Sequence, residues 1–181
     1  VIAHPLRNLV MQALGLVWGD VDALASDMVE KRTRIAEPVH FGARLLFDVW
    51  RKQRAADGFV VGRDVPSRAL ASVLRNLVLY EPLDGGRDFG VRLAGSALIR
   101  RFGCDITGLK LSELFNPESF ANYRAAMMDV VTKDAPIDLD VTLTAKGRTQ
   151  LHFEVLGLPV LAADRSTVWV LGGLFYYDWT Q

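Results

Sequence analysis

Leu77-Val-Leu-Tyr-Glu-Pro-Leu-Asp-Gly-Gly-Arg-Asp-Phe-Gly-Val-Arg-Leu-Ala94 is the stretch that decides how this chain folds. Asp84-Gly85-Gly86 at its centre is a strong turn signal, and Leu77 to Leu83 before it is rich in the residues strands favour. After it, Phe89, Val91 and Leu93 alternate with smaller or polar residues, the period of a strand with two unlike faces. The two runs therefore read as an antiparallel hairpin, which Ala94-Gly95-Ser96 ends.

Downstream, Ser96 to Phe102 fits a short helix closed by Gly103, and Leu111 to Phe115 a further brief turn. Asn116-Pro117 is a helix start, with asparagine as cap and proline at the first position. The helix it opens carries Phe120, Tyr123, Met127, Met128 and Val131 on one stripe, and Lys133-Asp134-Ala135-Pro136 ends it. Three strands follow. Ile137, Leu139, Val141 and Leu143 alternate with Asp138, Asp140, Thr142 and Thr144, so one face is wet and both aspartates read as solvated. In the next strand Leu151, Phe153 and Val155 alternate with His152 and Glu154, and the apolar phase flips at Leu156-Gly157, where a bulge is expected. A three-residue loop, Gly147 to Thr149, would pair Leu143 with Phe153 and Thr144 with His152. The last strand, Thr167 to Trp179, is partly apolar on both faces and belongs in the middle of the sheet or under a helical cover.

Upstream the texture is helical. Leu9, Val10, Ala13, Leu14 and Val17 make one stripe from Leu6 to Val17, and a second helix is expected from Val21 through Leu24 and Met28 towards Ile35, ending before Pro38. Phe41 to Ala56 gives a third, with Leu45, Leu46, Val49 and Trp50 on one face. Phe59 to Pro66 is a loop, and a short helix spans Arg68 to Leu74. The chain thus divides into a helical extension, 1–75, packing on or flanking a core domain, 76–181, of the α+β class.

Half of the 181 residues are apolar, enough for a real core, and 21 basic residues balance 21 acidic ones. That balance supplies no global field for nucleic acid or an anionic membrane. The single cysteine, Cys104, excludes an internal disulfide framework and a multi-thiolate metal site and fits a reducing, cytoplasmic location. No run approaches the roughly 20 apolar residues of a membrane span. Whether residues precede Val1 is left open.

Two strands, helices, then three strands is an order with a counterpart among known families. Phe89-Gly-Val-Arg-Leu-Ala-Gly-Ser96, Phe102-Gly-Cys-Asp-Ile-Thr-Gly108 and Leu111-Ser-Glu-Leu114 together resemble the core motif of a small PAS-domain family found chiefly in alphaproteobacteria. The resemblance extends through Leu46 to Trp50, Pro66-Ser67-Arg68, Glu154 to Pro159 and Leu171-Gly172-Gly173-Leu174, about residues 40 to 178. It lapses at Ala69-Leu70-Ala71-Ser72, where family members tend to carry an acidic, proline-containing stretch. It implies a five-stranded antiparallel sheet with helices on one face, here preceded by the helical extension, and a role in sensing, signalling or partner docking without catalytic residues.

Cofactor chemistry finds little support in the residues, and none is expected. Phe120 to Val131 holds no histidine to serve as a haem axial ligand. Cys104 stands too early for a flavin-reactive cysteine of the light-sensing type and reads as a small buried hydrophobe at a helix end. His4, His40 and His152 are far apart in sequence, His152 reading as a surface residue, and no metal is expected. The stripe Phe120, Tyr123, Met127 and Met128 faces either plain core or a cavity, which Leu139, Val141, Leu143, Phe153, Trp169 and Leu171 would complete for a mostly apolar ligand. Arg92 either pairs with a carboxylate on the wet face or anchors that ligand. Three readings follow: a small-molecule sensor, a ligand-free adaptor that docks a signalling protein or homodimerises through its N-terminal helices at Leu9 and Leu14, and an isomerase-like enzyme needing a carboxylate and a tyrosine in an apolar pocket, for which Tyr123 is the one candidate.

Overall fold

The computed structural model describes residues 28–145 and 148–177. The expected first helix, the start of the second as far as Asp27, and the dimer contacts at Leu9 and Leu14 lie outside that range, as do the last residues of the final strand.

The chain is α+β, with one six-stranded antiparallel sheet. Its elements are β1 (Met28–Arg34), α1 (Phe41–Asp57), β2 (Leu77–Leu83), β3 (Asp88–Ala94), α2 (Ser96–Phe102), α3 (Leu111–Leu114), α4 (Pro117–Lys133), β4 (Ile137–Ala145), β5 (Arg148–Leu161) and β6 (Val168–Tyr176), in the spatial order β1-β4-β5-β6-β2-β3. The hairpin quoted above forms as β2 and β3. Its turn is held open by Asp84, Gly85 and Gly86, all at positive φ. The start of α4 is capped as its sequence indicates, the Asn116 side chain accepting from the Ser119 amide with proline next in line.

Four expectations are corrected. The second helix gives way at its C-terminal part to β1, which pairs with β4 along seven residues and makes the sheet six strands wide instead of five. Met28 and Ile35 fit a helical stripe, but the residues between them gain more from β4's free edge than an isolated helical turn offers. The helix expected over Arg68 to Leu74 is two short 3₁₀ turns, Arg68–Leu70 and Leu74–Asn76. In the β4–β5 hairpin, Leu143 faces Leu151, Thr142 faces His152 and Val141 faces Phe153. A bulge between Leu143 and Thr144 then leaves only Lys146 and Gly147 between the paired ends. The expected register was out by two residues, a shift that keeps each side chain on its face and so is invisible to the hydrophobic pattern. Finally, β5 passes Leu156-Gly157 with no bulge. The apolar phase changes there because the face of His152 and Glu154 becomes, at Leu156, Leu158 and Val160, the face that α1 covers.

The sheet is therefore covered on both sides. α2, α3 and α4 lie on one face, where Leu98, Phe102, Leu111, Leu114 and Val130 meet Val78, Tyr80 and Val170. α1 covers the other, packing Ala43, Leu46 and Trp50 on Leu156, Leu158, Leu171 and Phe175. The Trp50 indole N–H donates to the Pro159 carbonyl at 2.8 Å, which satisfies the polar atom of a buried ring. The β6 strand is internal, between β5 and β2, which explains its two apolar faces.

Candidate functional site

Between α4 and the sheet lies a cavity of about 120 Å³. α4 supplies Tyr123, Ala126, Met127 and Val130, and α2 supplies Leu98 and Phe102. The floor is β-sheet: Ile137, Leu139, Val141 and Leu143 from β4, Phe153 and Val155 from β5, Val170, Gly172, Leu174 and Tyr176 from β6, and Val78 and Tyr80 from β2. Alternation along each strand places every second side chain here. Gly172 belongs to this set because Val78 packs straight onto its backbone; a Cβ there would stand 2.8 Å from Val78 Cγ1.

The polar part of the wall is concentrated. Glu30 and Arg32 of β1 pair opposite Leu143 and Val141, which turns both towards the cavity edge. Arg32 donates Nε to Glu30 Oε1 at 2.9 Å and Nη2 to Oε2 at 3.0 Å. Its guanidinium also lies 4.6 Å from the centre of the Tyr123 ring, a cation–π contact. Burial, with the nearby Glu30 carboxylate, pushes the Tyr123 phenol up to about 12. Burial also raises Tyr80, with the Tyr123 oxygen adding to the effect. Tyr176 lies under the Arg101 guanidinium at 3.7 Å.

Of the residues singled out from the sequence, Tyr123, Met127, Leu139, Val141, Leu143 and Phe153 line this cavity. The others do not. Trp169 and Leu171 point the opposite way, into the core under α1, because β6 presents its even-numbered residues to the cavity. A strand apolar on both faces gives no clue to that parity. Met128 lies against Gly86 at the hairpin turn, and Phe120 packs beside the α4-side core without reaching the void. Arg92 forms an ion pair with Glu81 and is half exposed, the wet-face alternative. Sequence reasoning missed Glu30 and Arg32, whose strand read as helix, and Tyr80 and Tyr176. Tyr80 shares the parity of Val78 in the hairpin, a signal that was present.

The α1 face carries a second polar cluster, near the start of that helix. Glu154 is fully buried and accepts from the Val39 amide at 3.2 Å, the His40 amide at 2.7 Å and the Tyr177 hydroxyl at 2.8 Å. His40 Nδ1 in turn accepts from the Gly42 amide and caps α1. Asp140 and His152 meet at 2.5 Å, and the His152 ring stacks on Tyr177. Asp138, expected to be solvated, is only 6% exposed, and neither carboxylate oxygen has a partner among the described residues. Burial, with Glu154 and Asp140 nearby, pushes it up to about 7. The wet face of β4 is dry here because Ile35 bonds to the Asp138 carbonyl and the chain up to His40 runs over it. Cys104, expected to be buried, is exposed just beyond the Gly103 cap. Among the described residues no three His, Cys, Asp or Glu side chains gather as metal ligands, and no helix is long and apolar enough to cross a membrane.

In comparison with known proteins, residues 39–175 match the family described as PAS domain. No curated protein and no solved structure matches the chain.

Proposed function

The chain belongs to the PAS domain family, and from that premise we propose that it is a non-catalytic sensory domain whose cavity takes a small, mostly apolar molecule and whose occupancy alters how it engages a protein partner. The observation that carries this reading is the apolar-lined cavity of about 120 Å³ between α4 and the sheet. Protein interiors seldom leave space of that size, and an apolar pocket with a few convergent polar groups is the usual form of a small-molecule site. An enzymatic reading finds less support. Glu30 adds a carboxylate beside Tyr123, yet both of its oxygens accept from Arg32, which engages it as an ion-pair partner instead of leaving it available as a base.

Native mass spectrometry of freshly purified protein tests the proposal. An added mass that is lost on denaturation supports the sensor, and a Met127→Trp variant, which fills the void, should not carry it. Bare subunit mass in the wild type, together with no thermal stabilisation by any of a panel of small apolar compounds, would move the domain to the ligand-free adaptor class. The homodimer expected through the N-terminal helices is read from the same spectra.

A further inference from the structure

The chemistry of the wall narrows the occupant, on the reading that the cavity is a ligand site. We propose that it selects an uncharged, ring-sized molecule carrying one oxygen, held by hydrogen bonds to the hydroxyls of Tyr80 and Tyr123.

Size comes first. A cavity of about 120 Å³ is slightly smaller than the engineered apolar void of about 150 Å³ that takes up benzene. An occupant of roughly six to eight non-hydrogen atoms fits on that scale.

Polarity comes second. Tyr80 stands on β2, is only 8% exposed and lines the cavity, and its hydroxyl has no hydrogen-bond partner among the described residues. Tyr123, across the void on α4, also lacks one there. Tyr80 is buried and Tyr123 partly so, and two phenol hydroxyls on the cavity wall without a partner among the described residues provide a ready site for an oxygen. Both phenols stay protonated at neutral pH, since burial raises them, so each offers an O–H to an acceptor.

Charge comes third. Arg32 is the cation on the wall, and its Nε and Nη2 are both donated to Glu30. An anion entering the cavity would have to displace that carboxylate or lie beside it, and two phenol hydroxyls in an otherwise apolar wall do not replace its hydration shell. A cation would meet Arg32. An uncharged ligand avoids both costs.

The test is calorimetric titration of the full chain with phenol, toluene and benzoate. Phenol and toluene have the same number of non-hydrogen atoms and differ in the oxygen, and benzoate carries the charge. Phenol should bind about tenfold more tightly than toluene, the usual scale of one net hydrogen bond. Benzoate should bind more weakly than either, and the deficit should shrink as the pH is lowered towards the ordinary carboxylate range and the probe is neutralised, which its larger size alone would not produce. In the double variant Tyr80→Phe, Tyr123→Phe, which removes two oxygens and little volume, phenol should fall to the affinity of toluene while toluene is unchanged. Equal binding of phenol and toluene to the wild type, a preference for benzoate, or a double variant that keeps its preference for phenol would each overturn this inference and leave the ligand cavity standing. Absence of saturable binding by all three probes would overturn the inference and the ligand reading together.

Discussion

The two faces of the central sheet are covered by helices of equal length, α1 and α4, each of 17 residues, yet α1 presses fully buried side chains onto the sheet while α4 stands over an apolar cavity. Under α1, Leu46, Leu158 and Leu171 are fully buried, and Phe175 nests against Gly42 and Gly173, where a Cβ would collide with its ring. Under α4, Val130 is the one residue of the helix in the buried core, while Tyr123 and Met127 are only partly buried and border the void. Small residues against a large ring close the first interface. The second sets long side chains against branched strand residues and leaves space between. The sheet itself is common to both, so the difference lies in what each helix brings to it.

That contrast can be broken experimentally. The largest effect should come from Leu171→Ala, which opens a cavity on the α1 face and should cost about 3 kcal/mol in denaturant unfolding, against about 1 kcal/mol or less for Met127→Ala beside space that already exists. Equal losses would place Leu171 and Met127 in like surroundings and erase the distinction.

Next in size is Asp138→Asn. The folded protein raises this carboxyl from 3.8 to about 7, so it binds the proton more tightly than the unfolded chain does. Its contribution to stability is complete below pH 3.8 and is lost as pH rises through about 7. The asparagine variant should be more stable than the wild type at pH 8 by about 1–2 kcal/mol, with the advantage shrinking towards pH 5. A variant with an unchanged pH slope would show that Asp138 is solvated after all.

A smaller gain, about 0.5–1 kcal/mol, is expected from Val141→Leu, which puts one more methylene into the void. A loss of the same size would mean that the α4 face is already full. Smallest is Arg92→Ala, within about 0.5 kcal/mol of wild type because its ion pair with Glu81 is largely exposed.

Which parts of this structure could be read from sequence follows from the same contrast. The β2–β3 hairpin was legible from the glycine turn at its centre, and α1 and α4 from a stop or cap signal at an end and a single apolar stripe. β1 was not: its cavity-facing residues are Glu30 and Arg32, polar because they sit at the edge of the void, so no apolar alternation marks the strand. Of the wall, α4 and β4 could be assigned from their one-sided stripes. The contribution of β6 came out with the wrong parity because both of its faces are buried, and Trp169 and Leu171 are as apolar as Val170 and Leu174. Asp138 was misjudged for a related reason. Nothing local in β4 reveals that the segment before α1, far away in sequence, covers its polar face.

The hydrogen bonds of Glu154 join Val39 and His40, where the chain enters α1, to Tyr177, where it leaves β6. One carboxylate thus ties the link between β1 and α1 to the end of β6, so a pull on the chain at Tyr177 bears on the turn into α1 as directly as on the sheet itself.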